Sequence, residues 1–385
     1  MRPNQPVYLD NQATTQCDPR VLAVMLPFFT ERFGNPHSVE HAMGLDAEDA
    51  VETARAQVAA LIGAEPREIV FTSGATEANN IAIKGAARFA ASQENPRRRV
   101  ITLATEHKCV LESVADLAAE GFEPVVLPVR PDGLLDPAVL AEALAEPTLL
   151  VSVMAVNNET GVVQDLPGIA AAAHAAGALF HTDAAQAAGK ISFDVAMGLD
   201  LVSLSAHKIY GPKGVGALYV RRRPRVRLAP LFSGGGQERG LRSGTLSTPL
   251  LAGFGEACRL AAAEMADEAA RLSMLRTRLL DGLAEALPGL RVNGSMQHRL
   301  PGNLNVTLPH ASALEVMRAN PALCVSTGSA CSSAEVAPSY VLAAMGLDDD
   351  AAARTLRVGL GRFTSAADVD YAVRALSTTL QPIEA

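Results

Sequence analysis

The sequence predicts an α/β fold, with a mainly parallel seven-stranded sheet in a large domain followed by a smaller α+β domain. Short runs rich in β-branched residues alternate with alanine-rich helical stretches from about residue 45 to residue 220. Such alternation is typical of a parallel sheet covered by helices. Beyond residue 220 the strands become shorter and mix with long helical patterns, and a chain of 385 residues has room for a second core.

The first helix is expected from Asp46 to Ile62, because apolar residues recur there at helical spacing and Gly63 follows. Asp46 would cap its first turn. Seven candidate strands follow: Ile69–Thr72, Val100–Leu103, Val125–Val129, Leu149–Val156, Leu179–His181, Leu201–Leu204 and Gly216–Val220. The alanine-rich segment Ile169–Ala178 is bracketed by two of these strands and is expected to be a helix.

The second part of the chain opens with a glycine-rich loop, Ser233–Thr245. A helical pattern then runs from about Leu250 to Leu287. Two short strands and a helix complete the chain: Asn303–Leu308, Leu356–Leu360 and Ser365–Leu380. This mixture of elements predicts the smaller α+β domain.

Composition excludes several functional classes. The chain has 33 Lys plus Arg and 41 Asp plus Glu, and this formal charge of −8 argues against a general nucleic-acid binder. With 49% hydrophobic and 19% charged residues, it is not a disordered chain. The start has no apolar signal region, and no apolar run approaches the ~18 residues that a membrane span needs. We therefore expect a cytoplasmic protein.

Cysteine spacing gives a second set of exclusions. The five cysteines are Cys17, Cys109, Cys258, Cys324 and Cys331. Because they form no CxxC pair and are sparse and odd in number, they indicate neither a zinc ribbon nor a disulfide framework, and a reducing compartment is expected. Cys324 has apolar neighbours and is expected in the core. Cys331 lies in the small polar run Ser326–Ala334, a setting that fits a nucleophile better than a buried thiol.

Polar or glycine-containing loops follow five of the predicted strands on their carboxyl side. These loops are Ser73–Glu77, Thr105–Lys108, Asn157–Thr160, Asp183–Gln186 and Ser205–Lys208. In open α/β sheets, ligands bind at this edge. One such loop would be an ordinary solvated turn, whereas five of them together predict a composite site.

Three of these loops carry groups that a phosphorylated aldehyde would need. Ser73–Thr76 offers free N–H groups at a helix N-terminus, which suit a phosphate, although the segment could simply begin a helix. Asp183 could pair with a structural arginine or with a protonated cofactor nitrogen. Lys208 could be a surface lysine or a Schiff-base amine, with Ser205 and His207 beside it to hold a phosphate. Phosphate pocket, carboxylate and Schiff-base lysine together are what pyridoxal phosphate requires.

Three further features each allow two interpretations. Arg221–Arg227 could bind a polynucleotide, but its Pro224 and the acidic chain favour a solvated connection. Arg357 could form a structural ion pair or clamp a substrate carboxylate in bidentate fashion. His107 could be a hydrogen-bonded histidine at a strand end or a catalytic one.

Together these motifs make the chain similar to the pyridoxal-phosphate-dependent cysteine desulfurases of the class V aminotransferase fold. The matching stretches are YLDNQATT (Tyr8–Thr15), FGNPHS, SGATEANNIAIKG, TEHK, VNNETGVVQ, HTDAAQ, SAHKIYGPKG, GGGQERGLRSGT, STGSACSS and LRVGLGRF. The resemblance covers nearly the whole chain and implies the type I fold of pyridoxal-phosphate-dependent transferases. It implies a large cofactor-binding domain at residues 16–258 and a small domain at 1–15 and 259–385. The loop of Cys331, followed by Pro338-Ser-Tyr340, resembles the long-loop group.

The resemblance implies contacts to pyridoxal 5′-phosphate from residues at the strand ends: Ala75, Thr76, His107, Asn158, Asp183, Gln186, Ser205, His207, Lys208 and Thr245. Ala75, Thr76, Ser205 and His207 would hold the phosphate. Thr245 would reach the phosphate of the partner subunit, which implies a homodimer with shared sites. Asp183 would keep the ring nitrogen protonated, and Gln186 would bond the phenolic oxygen.

The resemblance further implies the catalytic roles. Lys208 would form the Schiff base and move protons, and His107 would stack on the ring and take part in proton transfer. Asn158 and Arg357 would bind the carboxylate of L-cysteine. Cys331 would attack the substrate sulfur, keep it as a persulfide and pass it to an acceptor, with L-alanine as the other product.

The implied pathway is iron–sulfur cluster assembly, with a scaffold protein as the sulfur acceptor. Cys331 could contact a cluster transiently during transfer, while no resident metal, nucleic acid or membrane partner is expected. Other activities of the same fold are a selenocysteine lyase and an aminotransferase, and a non-catalytic scaffold would be a different class. The chain departs from relatives at Asn11 and Gln12, where a tyrosine and a small residue are common. It also ends at LQPIEA, short of the tail that is associated with scaffold docking.

Overall fold

The structure, a computed structural model, describes residues 6–327 and 338–380. Its strands are β1 (Val7–Tyr8), β2 (Ile69–Thr72), β3 (Arg99–Leu103), β4 (Glu123–Leu127), β5 (Thr148–Ser152), β6 (Leu179–Asp183), β7 (Leu201–Ser205), β8 (Gly216–Val220), β9 (Arg291–Val292), β10 (Asn303–Thr307), β11 (Leu323–Cys324) and β12 (Thr355–Gly359). Its α-helices are α1 (Pro19–Met25), α2 (Pro27–Thr30), α3 (Ala42–Leu61), α4 (Ala75–Ser92), α5 (Lys108–Asp116), α6 (Pro137–Ala143), α7 (Leu166–Ala175), α8 (Thr248–Ala286), α9 (Ala313–Ala319), α10 (Tyr340–Ala344), α11 (Asp349–Ala353) and α12 (Ala366–Leu380).

The central sheet of the described chain has seven strands, in the order β2-β8-β7-β6-β5-β3-β4. Strands β3 to β7 pair in parallel, whereas β8 runs antiparallel to both of its neighbours. The predicted mainly parallel seven-stranded sheet is therefore confirmed. Because β2 and β7 both run opposite to β8, the carboxyl ends of β2, β3, β5, β6 and β7 share one edge of the sheet.

Neighbouring side chains of each strand pack against two different helical layers. Val70 and Val100 belong to an apolar cluster with α4 and α5. The residues next to them, Phe71 and Ile101, belong to a second cluster with α3, α7 and the first half of α8. This alternation is the two-residue period of a strand. Burial on both faces explains why these strands appear in the sequence as nearly continuous apolar runs.

Two predicted details of these elements are wrong. Helix α3 begins at Ala42 and is capped by His41, while Asp46 lies within the helix and pairs with Arg32 at 2.7 Å. The strand expected at Leu149–Val156 ends at Ser152, because the chain then leaves the sheet toward the loop that carries Asn158. The other helices and strands begin and end within a few residues of their predicted positions.

The arginine-rich segment at residues 221–227 crosses the surface after β8. Residues 222–225 are exposed. Arg221 pairs with the buried Asp200 at 2.5 Å, and the Arg222 N–H donates to Glu68 at 2.9 Å. The predicted solvated connection is thus confirmed.

A second core lies under the smaller sheets. Strands β12, β10 and β9 form an antiparallel sheet, and β1 pairs in parallel with β11. An apolar cluster joins Val7 and Leu9 to side chains between residues 272 and 380. Helix α8 runs from the main core at Phe254 to this second core at Leu279, so one continuous helix crosses the predicted domain boundary at residue 258. Within the described ranges, no helix is both long and apolar enough to cross a membrane.

Candidate active site

One cavity of about 440 Å³ opens at the carboxyl edge of the central sheet. It is lined by residues from all five strand-end loops that the sequence singled out, together with an arginine from β12. The predicted site residues among its lining are Ala75, Thr76, His107, Asn158, Asp183, Gln186, Ser205, His207, Lys208 and Arg357. The fold therefore gathers at one place residues that are spread over 280 positions of the sequence.

The N-terminal segment forms another wall of this cavity. Gln12, Ala13 and Thr14 line it. The Lys208 ammonium donates to the backbone oxygens of Gln12 and Ala13, both at 2.7 Å. The following residue, Thr15, donates its hydroxyl to the His207 oxygen at 2.9 Å. These contacts fix the short 3-10 turn Ala206–Lys208, and with it the amine of Lys208, against the N-terminal segment.

The N-terminus of α4 forms an anion cradle at one end of the cavity. Its N-cap is Gly74, which has a φ of +153° and no side chain to cap the helix. No capping side chain therefore occupies the N–H groups of the first turn, whose residues line the cavity. A Cβ on Gly216 would lie 2.7 Å from the Gly74 Cα, so the close approach of β8 requires glycine there. Such a helix end binds phosphate through its N–H groups and its dipole.

Positive charge and a neutral histidine surround this cradle. Lys208 and Lys213 line the cavity beside it. Burial, with the neighbouring Lys208, Lys213 and Lys190, lowers the pKa of His207 to about 4. The ring is therefore neutral near pH 7, and its Nδ1 contacts the Thr14 hydroxyl at 3.0 Å. A phosphate would meet lysine charge and neutral hydrogen-bonding groups here.

Asp183 supplies a buried carboxylate to the floor of the cavity. Its Oδ2 accepts from Asn79 at 2.7 Å, and its Oδ1 accepts from the Ala185 N–H at 2.9 Å. Asn79 lies on α4, and its own Oδ1 has no partner among the described residues. A buried carboxyl group suits a cationic partner such as a protonated ring nitrogen.

His107 is held in one orientation by its own helix. It is the N-cap of α5, where its Nδ1 accepts the Cys109 N–H at 3.2 Å. The Cys109 sulfur lies 3.1 Å from the same nitrogen and accepts from Asn79 at 3.2 Å. Because a backbone N–H can only donate, Nδ1 acts as acceptor, and a neutral ring carries its proton on Nε2.

Arg357 forms the structural ion pair that the sequence left open and also lines the cavity. Its guanidinium pairs with Asp10 at 2.8 Å and donates to the Asn158 oxygen at 3.1 Å. The side chain is 1% exposed, yet it lines the cavity, and its Nε has no partner among the described residues. The structural ion pair is therefore present, and the same guanidinium is available to an anionic group in the cavity.

One predicted residue lies elsewhere, and another is outside the described residues. Thr245 is exposed and does not line this cavity, so its predicted contact across a subunit interface remains a prediction. The loop before it is anchored by the buried Glu238, which pairs with Arg55 at 2.8 Å and accepts the Phe71 N–H at 2.7 Å. Cys331 lies outside the described residues. Cys324, expected in the core, is only half-buried on β11.

Sequence reasoning did not assign Asn79, Cys109 or Lys190 to the site. Asn79 bridges Asp183 and Cys109, and Lys190 donates to Gln186 at 2.7 Å. Two weak signals were present. Asn79 lies one helical turn after the SGAT segment, and Lys190 lies one turn after Gln186, spacings that bring side chains together on a helix or turn.

The donor set fits pyridoxal 5′-phosphate. The cavity is lined by the N-terminus of α4, by the buried carboxyl group of Asp183 and by Lys208. Among the described residues, Asn79 Oδ1 and Arg357 Nε are buried and have no hydrogen-bond partner, so both could still accept or donate a hydrogen bond.

A family model described as Aminotransferase class-V matches residues 7–372. The chain is 55% identical over 370 residues to the cysteine desulfurase IscS of Anaeromyxobacter sp. (strain Fw109-5), and the match covers 96% of this chain and 91% of that protein. It is 52% identical over 370 residues to the cysteine desulfurase of Homo sapiens, with coverage of 96% and 80%.

Solved structures agree with these matches. A NifS-like protein superposes with a TM-score of 0.89 at 36% identity, covering 97% of this chain and 99% of that one. A structure described as SspA in complex with cysteine superposes with a TM-score of 0.81 at 37% identity, covering 93% and 99%.

Proposed function

Since the chain belongs to the class-V aminotransferase family and to the cysteine desulfurases within it, we propose that it converts L-cysteine to L-alanine with pyridoxal 5′-phosphate and retains the sulfur for transfer. The observation that carries this proposal is that Lys208, Asp183, the N-terminus of α4 and Arg357 line a single cavity. A lysine amine, a carboxylate, an anion cradle and a cationic clamp are the groups that this cofactor and an amino acid need together.

Each part of the cofactor would meet a group suited to it. Ala75 and Thr76 at the helix end, with Ser205 and His207, would hold the phosphate. Asp183 would hold the ring nitrogen, Gln186 the phenolic oxygen and Lys208 the aldehyde carbon. When bound, the cofactor supplies an electron sink that weakens bonds at the substrate carbons.

The residues of this chain bind the substrate and move its protons. Arg357, beside Asn158, would hold the carboxylate of L-cysteine. The amine of Lys208 would take the proton from the substrate Cα and return one to the product. His107, with its proton on Nε2, would exchange a proton at the substrate or the cofactor ring.

We assign the sulfur-accepting step to Cys331. Its thiolate would attack the substrate Sγ, forming an S–S bond while the Cβ–Sγ bond breaks. The electron pair of the broken bond passes to the substrate carbon, which takes a proton and leaves as L-alanine. The product on the enzyme is a persulfide at Cys331, which an acceptor thiol can collect by exchange.

The test of this function pairs two variants with one control. Cys331→Ala should keep the cofactor spectrum and bind L-cysteine but form no alanine, whereas Lys208→Ala should lose the visible band of the cofactor linkage. Cys324→Ala, seven positions away, should keep full activity. Full alanine production by Cys331→Ala would overturn the assignment of the nucleophile, and production of alanine from selenocysteine alone would indicate a lyase for that substrate.

We further propose a homodimer with shared sites. Large apolar side chains are exposed together near the N-terminus, among them Leu26 at 56%, Phe29 at 55% and Phe33 at 64%. Patches of this kind mark interaction surfaces. Thr245, exposed and outside its own cavity, fits a contact with the partner's phosphate. Mixing inactive Thr245→Val with inactive Lys208→Ala chains should restore one complete site per mixed dimer, and failure of any activity to return would exclude the shared site.

We propose iron–sulfur cluster assembly in the cytoplasm as the pathway. The relatives named IscS support this direction, and a reducing compartment would keep the Cys331 thiol out of disulfides. A persulfide trap with candidate acceptors, using L-[³⁵S]cysteine, tests it. Radiolabel should pass from Cys331 to an iron–sulfur scaffold protein, and transfer to other acceptors alone would contradict the proposal.

A further inference from the structure

A buried lysine that does not line the active cavity lies directly behind it. The Lys190 ammonium donates to Gln186 Oε1 at 2.7 Å. Gln186 is 3% exposed and lines the cavity, whereas Lys190 lies in a narrow gap on the other side, which Tyr210, Glu268 and Leu272 also line. The lysine can therefore influence the cavity only through Gln186 or through its charge.

The turn between these two residues explains how they meet. Gly189 has a φ of +72°, and a Cβ there would lie 2.9 Å from the Ala261 side chain of α8. Glycine thus permits both the left-handed turn and the close packing against α8. The chain reverses at this point, the Lys190 N–H donates to the Ala187 oxygen at 3.0 Å, and the lysine side chain returns toward Gln186.

Hydrogen-bond chemistry fixes the orientation of the Gln186 amide. A lysine ammonium can only donate, so the amide atom that it contacts must be the oxygen. On the other side, Gln186 Nε2 donates to the Gln12 oxygen at 2.8 Å, and a carbonyl oxygen can only accept. Nε2 has a second hydrogen, which no described residue takes. The amide therefore presents N–H, and not oxygen, on the side of the cavity that it lines.

The strength of this contact depends on the charge of Lys190. Burial lowers the pKa of Lys190 to about 7, with Lys208 and Arg357 lowering it further and Glu268 raising it. Below about pH 7 Lys190 is charged, and a charged donor in a poorly solvated place makes a stronger hydrogen bond than a neutral one and polarises the group that accepts it. The Gln186 N–H becomes a better donor as a consequence.

We propose that Lys190 is a positioning residue, which holds and polarises the Gln186 amide so that it donates to the phenolic oxygen of the bound cofactor. The inference rests on the proposed function, because that function supplies the phenolic oxygen. An N–H donor favours negative charge on that oxygen. The negatively charged oxygen then holds the proton of the Lys208–cofactor Schiff base less strongly. The pKa of the Schiff base is therefore lowered.

The test is a spectrophotometric pH titration of the holoenzyme without substrate. Lys190→Met keeps the length of the side chain and removes the donor, and the midpoint of the Schiff-base titration should rise by about one pH unit. Lys190→Arg should restore the midpoint. Lys84→Met, at a partly buried lysine of α4 that pairs with Asp116 and does not line the cavity, is the matched control and should leave it unchanged. Should Lys190→Met fail to fold, Lys190→Gln keeps a neutral donor, and a smaller rise is expected.

A double variant separates action through Gln186 from a plain charge effect. In the Gln186→Leu background, Lys190→Met should add no further rise, because the amide through which it acts is gone. A rise of the same size in that background, or no rise in Lys190→Met alone, would overturn the inference and leave the proposed function intact. Absence of the visible cofactor band from the unmodified enzyme would overturn the proposed function, and the inference with it.

Discussion

The Ser339 hydroxyl donates a hydrogen bond to Glu159 Oε2 at 2.5 Å, and this contact ties the chain after residues 328–337 to the loop that carries Asn158. The next residue reinforces it, since the Tyr340 hydroxyl donates to the Glu106 oxygen, beside His107, at 2.7 Å. The chain before residue 328 is held as well, because Ser326 exchanges two backbone hydrogen bonds with Arg357. Both flanks of the Cys331 segment are therefore attached to cavity walls.

The Ser339 anchor should affect sulfur removal more than cofactor binding. Ser339→Ala should slow single-turnover persulfide formation about 10-fold, since a buried hydrogen bond to a carboxyl group is worth about 1.5 kcal/mol, while the cofactor spectrum and L-cysteine binding stay as they are. Ser339 also caps α10, so Ser312→Ala, which removes the cap of α9, is the matched control. Persulfide formation at the normal rate in Ser339→Ala would show that the anchor does not position the nucleophile.

The two interpretations of Arg357 predict different kinetics. If its guanidinium binds the substrate carboxylate, Arg357→Lys should raise the KM for L-cysteine about 10- to 100-fold, because lysine cannot reproduce a bidentate charge-assisted contact. Cofactor affinity should hardly change. Arg354→Lys is the control, since Arg354 pairs with Asp350 away from the cavity. An unchanged KM with reduced stability would leave only the ion pair with Asp10.

The parts of the site that the sequence predicted are those whose signal is local. Runs such as Ile69–Thr72 reveal a strand, and the polar group after each run reveals the ligand-binding edge. The N-terminal wall has no such signal, because Lys208 contacts the backbone oxygens of Gln12 and Ala13, 196 and 195 positions away, and every residue type has that oxygen. The predicted cap of α3 was wrong for a related reason. Asp46 caps no helix, because its carboxylate pairs with Arg32, 14 positions earlier, and the sequence around Asp46 does not show that partner.

The anchor of the glycine-rich loop should matter for stability. Glu238 and Arg55 form a buried ion pair, with side chains 2% and 5% exposed. Glu238→Gln leaves Glu52, at 2.9 Å, as the ionic partner of Arg55 and should lower the free energy of unfolding by about 1.5–3 kcal/mol in urea denaturation. Asp46→Asn breaks the exposed pair with Arg32 and should change stability little. Equal effects of the two variants would contradict a special role for the buried pair.

A buried histidine in the sheet should make the protein sensitive to acid. His181 lies between Ser152 at 2.8 Å and Ser203 at 3.0 Å, and burial lowers its pKa from 6.5 to about 4. Between these pH values the histidine is protonated in the unfolded chain but not in the folded one. The contribution of neutral His181 to the free energy of unfolding is therefore complete above pH 6.5 and is lost as the pH falls to 4. The total loss is about 3 kcal/mol. His181→Gln does not titrate, so its unfolding free energy, measured by denaturant titration across this range, should fall less steeply than that of the unmodified protein. The exposed His310→Gln should keep the original slope, and parallel pH profiles for the unmodified protein and His181→Gln would show that this ring does not cause the acid sensitivity.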